Sequence, residues 1–207
     1  MQIENWIKNL NDEIKRCHKC RLAETRKNSL CGEGHLRAEL MLIAQAPGEH
    51  EDQEGRMFIG PSGKVLDELL GATHIHREEI YMTNLIKCML PKNRKPKSYE
   101  IASCGPYLDR EIELIGPKIL APLGYYATRF VLEKYGVQIP AKSEFRKVYG
   151  QVLILGDQKI IPLQHPAAVL HDTSIKEAML RNYRKMQVHF KRQSEKTIAL
   201  MGRDGDI

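Results

Sequence analysis

The chain has 207 residues, with 32 Lys plus Arg against 26 Asp plus Glu, a formal charge of +6 and a pI near 9.0; this is the size of one globular domain with room for small attachments. At 42% hydrophobic and 28% charged, with 15 Gly and 10 Pro scattered along it, the composition excludes a collagen-like or low-complexity polymer and allows a sizeable core. Apolar runs such as Leu40 to Ala44 and Ile119 to Leu123 fall far short of the ~20 residues that span a bilayer, so a soluble cytoplasmic protein without a signal peptide is expected.

The first segment sets Ile3, Trp6, Ile7, Leu10 and Ile14 at spacings of three and four, the stripe of an amphipathic helix that ends near two cysteines. Leu40 to Ala44, Ile80 to Leu85, Lys118 to Leu123, Val152 to Leu155 and Ile160 to Leu163 are short apolar runs bounded by Gly, Pro or charge, the pattern of buried strands. Helical stretches lie between them: Val65, Leu66, Leu69 and Leu70 in one, Ile101, Cys104, Leu108, Ile112 and Ile115 in a second that Ser98 is placed to cap, and Phe130, Val131 and Tyr135 in a third. This alternation predicts a parallel sheet covered on both faces, with the ligand site beyond the carboxyl ends of its strands. Towards the C-terminus, Ile175, Met179, Tyr183, Met186 and Phe190 share one face of a basic helix. A single domain over residues 1–193 is expected, with residues 194–207, polar and carrying two Gly, forming a frayed tail.

Five Cys in a reducing compartment argue against a disulfide framework. Cys17 and Cys20 form C-x2-C after the first helix, while Cys88 ends a strand and Cys104 lies in the helix that follows. Four thiolates in two pairs suit either a tetrahedral zinc ion or a 4Fe-4S cluster. The second pair is separated by 15 residues, unlike the matched knuckles of a zinc ribbon, and such a site would staple the amino-terminal segment to the sheet. Cys31 is left over as a structural or incidental thiol.

The first strand leads into Gln45-Ala46-Pro47-Gly48-Glu49-His50-Glu51-Asp52 and then Gly55-Arg56-Met57-Phe58-Ile59-Gly60-Pro61-Ser62-Gly63. A glycine-rich connection of this kind aims backbone N–H groups and a helix start at an anion, although it is neither a Walker loop nor G-x-G-x-x-G. The ordered set GEGHLRAELMLIAQAPGEHEDQEGRMFIGPSGKVLDELL, IYMTNLIKCMLPKNRKP, LGYYATRFVL and QHPAAVL, with the four cysteines interleaved, resembles the family 4 uracil-DNA glycosylases, the iron-sulfur branch of the uracil-DNA glycosylase superfamily. The resemblance runs from about Ile14 to about Tyr183. It implies a three-layer α/β/α sandwich with a central four-stranded parallel sheet, a 4Fe-4S cluster held by Cys17, Cys20, Cys88 and Cys104, and hydrolysis of the N-glycosidic bond of uracil, with other deaminated bases as further candidates.

Base excision needs an extruded nucleotide, a pocket that reads the base edge and stabilisation of charge as the bond breaks. By resemblance Phe58 stacks on the base, Asn84 pairs with O4 and N3–H, and His165 stands near O2, where a hydrogen bond holds developing negative charge. Backbone amides around Gln45 and Ala46 complete the pocket. Taken singly, Phe58 also reads as core, Asn84 as a strand cap and His165 as a satisfied loop imidazole. The family's usual GEAPG is AQAPG here, so a carboxylate gives way to Gln45, which is no base; Glu51 is the candidate for polarising water or stabilising the sugar cation, with Glu49 and Asp52 as alternatives. Ser62 and the segment Ala167, Ala168, Val169, Leu170 face DNA, the latter as an apolar wedge, and His171 stands where relatives commonly have Arg. The expected partner is uracil-containing DNA, single- or double-stranded, bound by a monomer with no membrane association. The rival reading is an iron-sulfur DNA-binding protein of the same fold with weak or no turnover.

Overall fold

The structure, a computed structural model, describes the backbone of residues 2–201 and the side chains of residues 2–191. Its elements are α1 (Gln2–Lys15), β1 (Glu33–Gly34), β2 (Leu40–Ala44), α2 (Glu49–Glu54), α3 (Pro61–Gly71), β3 (Tyr81–Asn84), α4 (Ser98–Ile115), β4 (Ile119–Pro122), α5 (Gly124–Lys134), β5 (Leu153–Leu155), β6 (Gln158–Ile160), α6 (Ala168–His171) and α7 (Lys176–Met201). They form one sheet in the order β1-β3-β2-β4-β6-β5. The pairings β3·β2, β2·β4 and β4·β6 are parallel, and the two outer pairings are antiparallel.

The sheet is therefore six-stranded and mixed: four central strands, β3, β2, β4 and β6, run parallel, and an antiparallel strand at each edge extends the four-stranded sheet expected. Of the two edge strands, β5 falls within the expected run Val152 to Leu155, while β1 falls in none of the expected runs. Strand β1 is two residues long and carries no apolar residue, and Gly34 sits there at φ 124° because a Cβ would stand 2.0 Å from the Ile80 carbonyl oxygen. Strands β5 and β6 make a hairpin whose turn passes through Gly156 at φ 59°. Strand β6 ends at Ile160, but bonding to the β4 segment continues through the Ile161 N–H to the Leu120 carbonyl and the Leu163 N–H to the Pro122 carbonyl, both at 2.9 Å, up to the Leu123–Leu163 bridge.

Strand β2 divides the core. Leu40, Leu42 and Ala44 face a cluster with Leu66 and Leu69 of α3 and Met179, Tyr183 and Met186 of α7, whereas Met41 and Ile43 face Ile7, Leu10 and Ile14 of α1, Leu108 and Ile112 of α4 and Val131 of α5. Period-two alternation thus feeds both layers, and every residue of β2 is buried. Trp6 departs from the expected stripe: at 49% exposed it lies off the core face of α1. The start of α4 also differs, because Ser98 is its first helical residue and the Glu100 carboxylate reaches back to the Lys97 N–H at 2.8 Å. Helix α7 continues through Met201, into the segment for which fraying was expected, and residues 202–207 lie outside the described residues. Among the described residues no helix is long and apolar enough to cross a membrane.

Candidate active site

The chain runs from β2 to β3 on one side and then to β4 on the other, so the loops after β2 and β4 part at their carboxyl ends and leave a crevice. There a small pocket is lined by Ala46, Gly48, Glu51, Met57, Phe58, Ser62, Asn84 and His165, among others. It shares Ala46, Glu51, Ser62 and His165 with a wider groove of about 560 Å³ that adds Gln45, Glu49, Tyr125, Ala167, Leu170 and His171.

Glu51 is buried in the short helix α2, and its Oε1 accepts the Gly60 N–H at 2.8 Å. A Cβ on Gly48 would stand 2.6 Å from Oε2 and one on Gly60 3.1 Å from Oε1, so these two glycines make the space in which the carboxylate lies. Asp52, the alternative acid, is committed elsewhere: its carboxylate accepts the Lys27 and Asn28 N–H groups at 3.0 and 3.3 Å. Glu49 is exposed on the groove wall.

Phe58 is held at φ 53°, a conformation that costs a residue with a side chain about 1–3 kcal/mol. What holds it is visible: its carbonyl accepts Arg77 Nη2 at 2.8 Å, and Gly63 packs so closely that a Cβ would meet that oxygen at 1.8 Å. The ring faces that of His165 with centroids 6.3 Å apart. Asn84, 2% exposed at the end of β3, donates from Nδ2 to the Met57 sulfur at 3.0 Å. A thioether is a weak acceptor, so this amide is readily won by a ligand oxygen.

His165 Nδ1 accepts the Ala167 N–H at 3.1 Å, which leaves the proton of the neutral ring on Nε2. Burial depresses its pKa to about 4, against a smaller opposing pull from Glu51. The imidazole is therefore a neutral N–H donor at the pocket. Of the remaining predicted residues, Ala46 and Ser62 border both pocket and groove, while Gln45 lines the groove alone. Ala167, the half-exposed Leu170 and the exposed His171 form the groove's rim around α6.

A second, small cavity lies beside α1 and α4 and is lined by Cys17, Cys20, Cys88 and Cys104 with Ile14, Leu22, Lys87 and Tyr107, among others. Hydrogen-bond donors already face its sulfurs: Arg26 Nη1 to Cys88 at 3.2 Å, the Lys87 N–H to Cys104 at 3.2 Å and the Lys19 N–H to Cys17 at 3.5 Å. Burial pushes the Cys104 thiol up to about 12 and raises Cys88 as well, Arg26 opposing it there. Cys31 stands apart, its Sγ 3.6 Å from the Asn11 carbonyl oxygen. Among the described residues no three His, Cys, Asp or Glu side chains gather about one metal-ion position.

Sequence reasoning missed Arg26, Arg77 and a buried network between the two cavities. Lys87 and Glu111 are 2% and 0% exposed and pair at 2.5 Å. Nothing in the pattern NLIKC marks a buried lysine, since the residue type predicts the surface.

The description of the Uracil DNA glycosylase superfamily matches residues 31–187. The chain belongs to that superfamily. It is 38% identical over 186 residues to a type-4 uracil-DNA glycosylase of Saccharolobus solfataricus, covering 85% of this chain and 82% of the relative. A type-4 uracil-DNA glycosylase of Thermotoga maritima is 34% identical over 92% of this chain and 97% of its own length. A type-5 uracil-DNA glycosylase of Pyrobaculum aerophilum is 31% identical over 65% and 63%. The span matched by the uracil-DNA glycosylase superfamily holds every pocket residue together with Cys88 and Cys104, while Cys17 and Cys20 precede it.

Proposed function

We propose that the protein is a monofunctional uracil-DNA glycosylase that begins base excision repair. The observation that carries this reading is one pocket lined by an amide, an aromatic ring, a neutral imidazole donor and a buried carboxylate, opening on a wider groove. Extruded uracil enters against Phe58. The Asn84 amide offers both a donor and an acceptor, so it matches O4 and N3–H of uracil and meets the amino group of cytosine with the wrong partner. His165 Nε2–H donates to O2, and because the ring is neutral the bond strengthens as charge collects on the departing base. Glu51 polarises the water whose oxygen bonds to C1′ as the C1′–N1 bond breaks, and its charge favours the cationic sugar. Gln45 stands outside the inner pocket, so the exchange of Glu for Gln in AQAPG removes no carboxylate from beside the base. Ala167, Leu170 and His171 meet the DNA at the rim.

The four cysteines fit a 4Fe-4S cluster. A single zinc ion draws its thiolates together around bonds of ~2.3 Å, whereas a cluster takes one thiolate per iron and spreads them over a wider cavity. Buried thiols with raised pKa values surrounded by N–H donors gain most from such cationic ligation. When bound, the cluster would supply a covalent cross-link from the segment after α1 to the turn after β3 and the first half of α4. Free uracil released from a uracil-containing oligonucleotide tests the function, and the same assay on hypoxanthine, xanthine and thymine in single and double strands gives the base range. Tight DNA binding with no base released would favour the binding-protein reading.

A further inference from the structure

We propose that Lys87 is a positioning residue that sets the base-reading end of β3, linking the pocket to the cysteine cavity. The inference rests on the uracil-excising function above and concerns a residue that does not line the pocket itself. The Lys87 ammonium has three acceptors: Glu111 Oε2 at 2.5 Å, Thr83 Oγ1 at 2.7 Å and the carbonyl oxygen of Asn84 at 2.8 Å. An ammonium has three N–H bonds, and all are used. Glu111 is tied in turn, Oε2 to the Thr83 hydroxyl at 2.7 Å and Oε1 to the Gly32 N–H at 3.2 Å. The main chain of Lys87 is equally committed, its N–H to Cys104 Sγ at 3.2 Å and its carbonyl to the Leu30 N–H at 2.7 Å.

Removing an ammonium and a carboxylate from water is expensive, and a pair of apolar residues often serves stability as well or better. A purely structural pair has no need to bond the main chain of one particular residue. Here the third bond of Lys87 goes to the main-chain carbonyl oxygen of Asn84, whose side-chain amide bonds the Met57 sulfur. The peptide after Asn84, where β3 ends and the turn to Cys88 begins, is held at its N–H by the Ala44 carbonyl at 2.8 Å and at its oxygen by Lys87, and its orientation sets the direction of the amide. A shift of a few tenths of an ångström there weakens base reading while leaving the groove that grips DNA unchanged.

The test is the double variant Lys87→Met/Glu111→Gln, which removes both charges together, keeps an acceptor oxygen for the Gly32 N–H and leaves the new amide NH2 to donate to the Thr83 hydroxyl. Three readouts are compared with wild type: single-turnover uracil excision, inhibition by free uracil, and affinity for DNA carrying a stable abasic-site analogue. Absorbance near 400 nm and the melting midpoint monitor cluster and fold. The expected result is excision and free-uracil affinity each lowered about tenfold or more, with abasic-DNA affinity within about twofold. A folded variant whose excision and uracil inhibition match wild type overturns the proposal, as does an equal loss in all three readouts. Thr83→Val, which deletes one acceptor at constant shape, gives the same pattern at smaller amplitude and decides the matter if the double variant does not fold. A wild-type protein that releases no uracil at all would instead overturn the functional reading.

Discussion

The cysteine cavity and the base pocket flank the same stretch of chain, residues 84–88, and treat polarity in opposite ways. The cavity gathers four thiols among Ile14, Leu22, Ala23 and Ile86, with Lys19, Arg26, Lys87, Ser103 and Tyr107 also on its wall, and burial drives Cys88 and Cys104 toward their neutral form. The pocket buries a carboxylate, an amide and a neutral imidazole in a small volume and gives each a fixed bond, Glu51 to Gly60, Asn84 to Met57, His165 to Ala167. The first arrangement suits a bound group that cross-links elements, and the second suits preorganised dipoles awaiting charge. Damage to the pocket should therefore appear in rate at constant stability, and damage to the cavity in stability first.

The largest effect is expected at Glu51. Glu51→Gln should lower the single-turnover excision rate about 10²- to 10⁴-fold, the range for a lost general base or electrostatic stabiliser, with DNA affinity little changed. Gln45→Glu should be the milder of the two, since Gln45 lines only the groove. If Gln45→Glu abolishes excision while Glu51→Gln stays active, the amide is the working group and the role given to Glu51 is wrong. Next comes Asn84→Asp, in which a carboxylate repels O4 and the anion forming on the base. A mismatched buried polar edge corresponds to about 10²-fold in rate, read as single-turnover excision, and a wild-type rate would remove Asn84 from base reading.

These residues differ in how legible they were. Strand β2 was readable to the residue because its apolar run meets charge at Glu39 and polarity at Gln45. The helices α3 and α4 followed from spacing, and the face of α7 from Met179, Tyr183 and Met186. Phe58, Asn84 and His165 became candidates only jointly, through ordered motifs, because the strand order that brings their loops together is a long-range property. The burial of Lys87 and Glu111 left no trace in periodicity, as each is satisfied by partners distant in sequence. Gln45 and Glu51 lie six positions apart in one loop, yet only Glu51 reaches the pocket, since α2 turns it inward.

On the cavity side, Cys104→Ser should lose iron, read as lost absorbance near 400 nm, and lower the melting midpoint as α1 comes loose from α4. An iron-free Cys104→Ser protein with full thermal stability would contradict a structural cluster. Because the Lys87 N–H bonds this sulfur, uracil inhibition should weaken in the same variant, and by less than in Asn84→Asp.

The smallest expected effect sharpens the contrast through pH. Burial lowers the His165 pKa from 6.5 to about 4, so the folded protein resists a proton that the unfolded chain accepts. Between those two values the unfolded state binds more protons, and stability rises with pH. The contribution is thus fully present above pH 6.5 and is lost as pH falls towards 4. Melting midpoints from pH 7 to 5 should therefore drop more steeply for wild type than for His165→Asn, which has no imidazole to titrate. The excision rate should show no loss over this range assignable to protonation of His165, because the donor on Nε2 persists in the neutral ring. Parallel melting curves for the two proteins, together with a rate that falls through pH 6.5 in wild type only, would mean that His165 titrates as it does in water, and the neutral-donor role would fall with it.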